Sequence, residues 1–478
     1  MSALTKKYIG LAIGPVLFFA MLAYQPFEGL SEAANATLAT SIWVAIWWIG
    51  ELIPIAVTSL LPIVLLPLSG AAPISQTTAA YGDKMLFLFI GGFIIAIAME
   101  KWNLHKRIAL TIIKAVGSSP SKILLGFMLA TGLLSMWISN TATTLMMVTI
   151  GSAIIAQAAQ RHVQDADRFF KALLLGIAYS ASIGGVATLV GTPTNPIFVA
   201  IASEIYQTEV SFLQWMTFGF PFAILLIAIS WIYLDRLAFR LPNLELAMNQ
   251  DIIDEELKKL GKISFEEKAV AWVFGLTALL WISRSFILVQ WLPAANDTSI
   301  AIASAASLFL IPCKKNKKIG LLTWDEAVKL PWGVIILFGG GLSIAAAFKS
   351  SGLAEWVGNQ LHMLETIPIF FIILLIALLV NFLTEVTSNV ATASIMLPVL
   401  AALSQVIGIH PFLLMVPATM AASCAFMLPV ATAPNAIVFA SGNLKVKDMA
   451  KAGFFLNISS SVIITLISYW VLAWVFEF

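Results

Sequence analysis

Charged side chains are what this sequence has least of. Asp, Glu, Lys and Arg make up 11% of its 478 residues, where a soluble globular chain carries about 25%. The only two cysteines, Cys313 and Cys424, can build neither a disulfide framework nor a Cys-based metal site. A net charge of +2 gives no case for a nucleic-acid or polyanionic partner. No HExxH pair, Walker loop, GxSxG elbow or Gly-rich dinucleotide fingerprint occurs in a usable context. The four histidines, His105, His162, His362 and His410, lie far apart in stretches that read as loops or surface. These absences argue against an intramembrane protease, an ATP-driven pump and a membrane oxidoreductase. Apolar residues, by contrast, reach 60% and mean hydropathy is +0.94. The chain belongs in lipid.

Apolar segments near the ~20 residues a bilayer requires are expected at 8–24, 38–54, 56–69, 84–99, 170–202, 214–240, 269–290, 298–312, 332–348, 412–440 and 452–476. Two further apolar blocks, 121–158 and 366–406, are each interrupted by small polar residues, at Ile138-Ser139-Asn140-Thr141 and Thr387-Ser388-Asn389-Val390. Each is too long for one helix, and non-helical backbone at membrane depth is tolerated only where protein or a cavity surrounds it. Both read as re-entrant hairpins. The expected fold is an all-α polytopic membrane protein of about eleven spans plus two re-entrant hairpins.

Basic residues set the orientation. With the N-terminus inside, every Lys and Arg except Lys84, Arg284 and Lys349 falls on a predicted cytoplasmic stretch, and the C-terminus lies outside. A wrong span count would scramble that bias. Residues 8–24 follow Lys6-Lys7 as a signal peptide would, but no small-x-small cleavage site follows, so they read as a retained span. The segment 241–268 mixes acids with lysines and reads as a solvated cytoplasmic linker or short surface helix.

The chain repeats itself. MLFLFIGGFIIAIAMEKWNL at 85–104 aligns without gaps to VIILFGGGLSIAAAFKSSGL at 334–353, pairing Gly91 with Gly340 and Gly92 with Gly341. The same register carries Ser139-Asn140 onto Ser388-Asn389. A second pairing matches Gly-Thr-Pro-Thr-Asn at 191–195 to Ala-Thr-Ala-Pro-Asn at 431–435. A basic stretch with Lys101, Lys106, Arg107 and Lys114 follows the first Gly-Gly span. Lys349 with Glu355 and Glu365 follows the second. Positive-inside logic puts these on opposite sides, which makes the repeat inverted. Inverted repeats with interrupted helices are the best sequence pointer to a transporter binding site.

Four interruptions should therefore converge: two hairpin tips and two broken spans, at 191–196 and 431–435. Broken helices offer unpaired amides to an anion, while freed carbonyls with Ser, Thr and Asn oxygens suit a hard cation such as sodium. No Lys or Arg lies in or beside these segments. A bound cation is then the source of positive charge for an anion, which is a physical reason for coupling. The competing reading is that these small polar residues only let helices pack closely.

With these motifs in hand, the chain resembles the divalent anion/sodium symporters, carriers of di- and tricarboxylates or sulfate. The resemblance covers nearly the whole chain. It rests on Ser139-Asn140-Thr141, Gly191-Thr192-Pro193-Thr194-Asn195 and ASCAFMLPVATAPNAIV at 422–438, which is similar to the family's pattern at Ser423, Phe426, Pro429, Asn435 and Val438. It implies a homodimer whose protomers each carry a fixed scaffold and a transport domain moving as an elevator. It implies one sodium among Ser135, Ser139, Asn140 and Gly191, and a second among Thr384, Ser388, Asn389 and Ala431. Substrate carboxylates would meet Ser139, Asn140, Thr141, Ser388, Asn389 and Thr432. Val390 stands in the pocket where many bacterial dicarboxylate carriers show Thr, and Thr194 where Pro is frequent. The family's basic in-plane helix maps to about 101–116 and its outer counterpart to 350–364.

The expected division is scaffold at 1–69, 204–312 and 452–478, with transport-domain halves at 70–203 and 313–451. The expected function is sodium-coupled import of C4-dicarboxylates such as succinate, malate and fumarate, with citrate a further candidate, through the inner membrane. The partners are then a small di- or tricarboxylate and membrane lipid. A sodium-independent exchanger and a sulfate carrier of the same fold are the alternatives. An intramembrane enzyme would need paired His or Asp at membrane depth, and the sequence offers none.

Individual residues stay open between functional and structural roles. Glu385, at membrane depth beside the second tip, reads either as a proton- or cation-linked carboxylate or as a partner for hairpin amides. Glu51 reads as a cytoplasmic-interface residue, Arg284 as a snorkelling or dimer-contact residue, and tryptophans such as Trp43, Trp47 and Trp48 as interface belts.

Overall fold

The computed structural model describes residues 3–160, 166–241, 250–314, 316–360 and 366–476. His162, His362 and Glu365, named above, lie outside the described residues. Apart from one isolated bridge between Pro312 and Gly320, regular structure among the described residues is helical. Among the described residues, nine helices are long and apolar enough to cross a bilayer: Lys7–Tyr24, Glu32–Gly50, Ile74–Lys101, Asp167–Val186, Phe212–Ala238, Phe265–Trp291, Trp332–Ser350, Asn389–Val406 and Val446–Phe476. Side-chain caps that the sequence supplies start many of them: Ser31, Asp83, Ser119, Ser211, Ser264 and Asn296 each accept a backbone N–H of the first turn.

Hydrogen bonds and ion pairs sort the helix ends into two sets. At one end Lys84 pairs with Glu209 at 2.8 Å and Lys349 donates to the Glu204 and Ile205 carbonyls. At the other, Lys101 pairs with Glu326, Lys106 with Glu256 and Ser121 with Asp235. The first hairpin, Pro120–Ser135 and Asn140–Gln160, rises from the Ser121 end. The second, Ile369–Leu383 and Asn389–Val406, rises from the opposite end, where Tyr206 donates to the Ala401 carbonyl. The order of Gly-Gly helix, short amphipathic helix, hairpin and broken helix thus occurs twice with the hairpins opposed.

Several expectations are corrected. The stretch 170–202 is broken as expected, into Ala166–Val186 and Thr194–Tyr206, with the break at 187–193 beginning ahead of the expected 191–196. Likewise 412–440 is Phe412–Ala422 and Ala433–Ala440. The stretch 298–312 is a 14-residue helix, Asp297–Leu310, and 56–69 is two short helices, Ile55–Thr58 and Leu61–Leu68. Apart from Ala166–Val186, these helices fall short of a full bilayer span. Trp48 belongs to the core and not to an interface belt: it is fully buried and donates to Ser59 Oγ at 3.0 Å. Arg284, half-buried, forms an ion pair with the buried Asp297 at 2.8 Å, a partner the sequence reading did not name. His105 sits on helix Leu104–Val116 with Nδ1 3.1 Å from the Met99 carbonyl. The domain lines at 203/204 and 451/452 fall inside the helices Thr194–Tyr206 and Val446–Phe476, so no linker separates the segments there. Part of 241–268 forms helix Gln250–Leu260. This helix and the neighbouring Glu267 are tied by ion pairs to Lys106, Arg107 and Lys114 of the amphipathic helix Leu104–Val116.

Candidate functional site

Each hairpin tip places an asparagine at the first turn of its returning helix, and a hydroxyl five residues earlier reaches it. Ser135 Oγ lies 2.5 Å from Asn140 Oδ1 and 2.7 Å from the Ala181 carbonyl. In the second half Thr384 Oγ1 lies 2.8 Å from Asn389 Oδ1 and 3.0 Å from the Ala422 carbonyl. One hydroxyl proton cannot serve two acceptors, so each cluster holds surplus lone pairs. Neutral oxygens so gathered are the donor chemistry a hard cation takes. Turning the Asn140 amide over brings its nitrogen 2.5 Å from Ser135 Oγ and 3.3 Å from the Gly191 carbonyl, which satisfies the cluster without a cation. No group of three or more His, Cys, Asp or Glu side chains lies together among the described residues.

The two breaks are held open by matching asparagines. Asn195 Nδ2 donates to the carbonyls of Gly185, Val186 and Thr188. Asn435 Nδ2 donates to those of Ala425 and Leu428. Both asparagines are fully buried. The first break is also tight: a Cβ on Gly191 would stand 2.5 Å from the Gly185 carbonyl oxygen, and one on Gly185 2.7 Å from Asn140 Oδ1. Glycine is needed at both places because the backbone passes against itself and against the tip.

Tips and breaks line one cavity of about 610 Å³. Ser139, Asn140, Thr141, Gly191, Ser388, Asn389, Val390, Ala431 and Thr432 all face it. Ser135 and Thr384 are fully buried one layer behind, touching Asn140 and Asn389. Three helix N-termini, at Asn140, Asn389 and Ala433, reach the cavity wall. Ser139 Oγ accepts from Ala142 N at 3.2 Å and Thr432 Oγ1 from Asn435 N at 3.2 Å, so both hydroxyls already cap their helices. Converging N-termini favour negative charge. The cavity can therefore hold an anion between two cation-type oxygen clusters.

Glu385 lies against the second break. Its carboxylate accepts from the backbone N–H groups of Phe426, Met427 and Leu428 and from Asn457 Nδ2. That geometry realises the amide-partner role among the two considered.

Sequence reasoning missed the cavity's rim, where Glu51, Glu100 and Lys329 face it. All three come from the end of the molecule that carries Lys101 and Glu326. It also missed Asn381 and Asn457, fully buried on apolar helices. A polar amide inside a predicted span was the available signal.

The protein-family model of the sodium:sulfate symporter transmembrane region matches residues 5–476. The sodium-dependent dicarboxylate transporter SdcS of Staphylococcus saprophyticus is 47% identical over 472 residues, covering 97% of this chain and 91% of that protein. SdcS of Staphylococcus aureus (strain MRSA252) is 48% identical over 476 residues, covering 98% and 92%. Two solved structures share the fold at low identity. The Alcanivorax borkumensis YdaH transporter has a TM-score of 0.58 at 14% identity, over 82% of this chain and 86% of that one. Neisseria gonorrhoeae MtrF, of a class of antimetabolite efflux pumps, has a TM-score of 0.58 at 13% identity, over 96% and 97%. With the family model matching almost end to end, the chain belongs to the sodium:sulfate symporter family, the divalent anion/sodium symporters that its motifs resemble.

Proposed function

We propose that this chain is a sodium-coupled secondary transporter, not an enzyme, that imports C4-dicarboxylates such as succinate, malate and fumarate, with citrate a further candidate. One observation carries the reading: the paired hydroxyl–asparagine–carbonyl clusters at Ser135/Asn140/Ala181 and Thr384/Asn389/Ala422 flank a cavity met by three helix N-termini. The names of its relatives, sodium-dependent dicarboxylate transporters, agree with it.

In this reading one sodium is held by Ser135, Ser139, Asn140 and Gly191, and the second by Thr384, Ser388, Asn389 and Ala431. The substrate carboxylates take the Ser139, Asn140 and Thr141 side, the Ser388 and Asn389 side, and Thr432. Without sodium the site offers only N–H and O–H dipoles to a dianion. Two bound cations supply the missing charge, which makes anion affinity depend on sodium. Val390 presents two methyl groups where Thr would present a methyl and a hydroxyl of nearly equal volume, so the pocket keeps its room and lacks one hydrogen-bonding group.

The protein then sits in the inner membrane as a homodimer of polytopic protomers, each with two re-entrant hairpins. The N-terminus is cytoplasmic and the C-terminus outside. The rim residues Glu51, Glu100 and Lys329 share an end with Lys106, Arg107 and Lys114, so the cavity opens to the cytoplasm. The segments 70–203 and 313–451, with their boundaries moved to the end of helix Thr194–Tyr206 and the start of helix Val446–Phe476, move as the transport domain against a scaffold of 1–69, the rest of 204–312 and the last helix.

The test is uptake of radiolabelled succinate into proteoliposomes under an inward sodium or an inward potassium gradient, with malate, citrate and sulfate as competitors. Sodium-dependent accumulation is expected, and Asn140→Ala and Asn389→Ala are expected to abolish it while leaving folded protein. Equal flux in both salts replaces symport with exchange, and stronger competition by sulfate than by malate replaces the substrate class.

A further inference from the structure

Two buried hydroxyls connect the halves of the repeat. Thr194 is the first residue of helix Thr194–Tyr206, and Ser423 directly follows helix Phe412–Ala422. Their side-chain oxygens meet at 2.7 Å. Thr194 is 0% exposed and Ser423 1%, so water does not compete for this bond. Thr194 closes the first break and Ser423 opens the second.

The bond lies between the two oxygen clusters. On one side, the carbonyl of Ala422, the residue before Ser423, accepts from Thr384 Oγ1, which also touches Asn389. On the other, Thr194 stands three residues past Gly191, whose carbonyl lies 3.3 Å from the turned-over Asn140 amide. A continuous route of short contacts and short backbone thus runs from Asn389 to Asn140. The reciprocal route is missing. In the pairing of the two breaks Thr194 corresponds to Pro434, which has no hydroxyl. Ser182 follows Ala181 as Ser423 follows Ala422, and its buried Oγ has no partner.

The geometry points to Thr194 and Ser423 as positioning residues that couple the two candidate sodium sites, an inference that rests on the two-sodium reading above. A cation held at Thr384 and Asn389 orients the Thr384 hydroxyl, and through its bond to the Ala422 carbonyl fixes the end of helix Phe412–Ala422 and so the Ser423 hydroxyl. Ser423 then fixes Thr194 and the break that presents Gly191 to the other site. Order gained at one site lowers what the other must still organise, and the coupling is reciprocal.

The experiment is a sodium titration of succinate uptake in proteoliposomes, with the sodium dependence of Tm measured on the same purified carriers. The parent protein is expected to show a Hill coefficient above 1. Thr194→Val, which keeps shape and removes the hydroxyl, and Ser423→Ala are expected to bring the coefficient towards 1. Half-saturating sodium should rise about fivefold, the worth of one neutral hydrogen bond. Thr194→Ser, which keeps the hydroxyl, should behave as the parent. A Thr194→Val carrier with unchanged coefficient and half-saturation overturns the coupling. So does a uniform fall in Tm with the sodium response intact, which marks the bond as packing alone and needs no uptake to detect. A parent protein indifferent to sodium removes the two-sodium reading itself, a different result from a sodium-dependent parent with an unaffected variant.

Discussion

Asn457 donates to the Glu385 carboxylate at 2.7 Å, and its own Oδ1 accepts from Phe426 N at 3.2 Å. The same carboxylate takes the N–H groups of Phe426, Met427 and Leu428 at 2.7 to 2.9 Å. A full negative charge inside an apolar protein is costly unless it is paired or hydrogen-bonded on every side, and here four donors surround it. The counterpart three residues before the first tip is Met136, which carries no charge. Glu385 therefore serves the second break alone, holding amides that would otherwise stand unpaired.

Glu385→Gln puts an NH₂ group against backbone donors. It should cost about 3 kcal/mol, the loss of one or two charge-assisted bonds, with the fall in Tm read on purified protein in detergent. Asn457→Ala should cost less, because three donors to the carboxylate remain. A Glu385→Gln carrier as stable as the parent but unable to transport would move Glu385 from scaffold to transport chemistry.

Gly185 faces Gly191 across the first break, with the Asn140 amide beside them. A Cβ at position 185 would stand 2.7 Å from Asn140 Oδ1, closer than real Cβ contacts, and 3.1 Å from the Gly191 carbonyl oxygen, tighter than nearly all of them. Gly185→Ala should therefore displace the tip asparagine and weaken sodium dependence tenfold or more in order of magnitude, with a smaller effect on Tm than on transport. The check is the same sodium titration beside a melt. An alanine tolerated without change in either would mean that the tip has room the packing does not show.

Much of this site is legible in the sequence, because its parts are local. Ser-Asn at each tip, and an asparagine closing each break, are short patterns repeated at matching places, and repetition separates them from ordinary small-residue packing. Contacts between distant residues are not legible in this way. Asp297 as the partner of Arg284, Asn457 beside Glu385, and Ser423 across from Thr194 depend on which helices become neighbours. Periodicity reports a buried face without saying what buries it. Helix lengths failed for a related reason. Gly191-Thr192-Pro193 marks the first break, but hydropathy does not register where it begins, because Asn195 takes the carbonyls of Gly185, Val186 and Thr188 ahead of it.

Val390 faces the cavity beside Asn389. Val390→Thr replaces a methyl with a hydroxyl of nearly equal volume, so the fold should be indifferent while the pocket gains one donor. Competition by succinate relative to citrate should shift about tenfold at most towards the smaller dianion, the range one hydrogen bond in a binding site commands. Inhibition constants for succinate, malate and citrate against labelled succinate measure it. An unaltered ratio would place the substrate away from position 390.

The amphipathic helix Leu104–Val116 leads into the first hairpin, and its basic face is held by acids from the segment that follows Phe212–Ala238. Arg107 makes a two-pronged pair with Glu267, one prong at 3.1 Å, and Glu267 is 4% exposed. Lys106 and Lys114 reach Glu256 and Asp254 nearer the surface. Removing one partner of a buried pair leaves an uncompensated charge and costs about 3 kcal/mol or more, so Arg107→Ala should destabilise strongly. Lys114→Ala, at an exposed pair, should cost well under 1 kcal/mol. Hydrogen bonds from Lys106 and Lys259 hold the Glu256 carboxyl below its ordinary value of 4.5. A group with a lowered folded pKa stabilises above its unfolded pKa and loses that contribution as pH falls through the folded one. The tie between helix Gln250–Leu260 and helix Leu104–Val116 should therefore be intact at neutral pH and loosen only on acidification below the usual carboxylate range. Salt at 1 M, by contrast, should weaken Lys114–Asp254 and spare Arg107–Glu267. A nitroxide label at Lys262 reads both effects as increased mobility. If mobility rises instead between pH 8 and pH 6, a group other than Glu256 governs how firmly this helix is held.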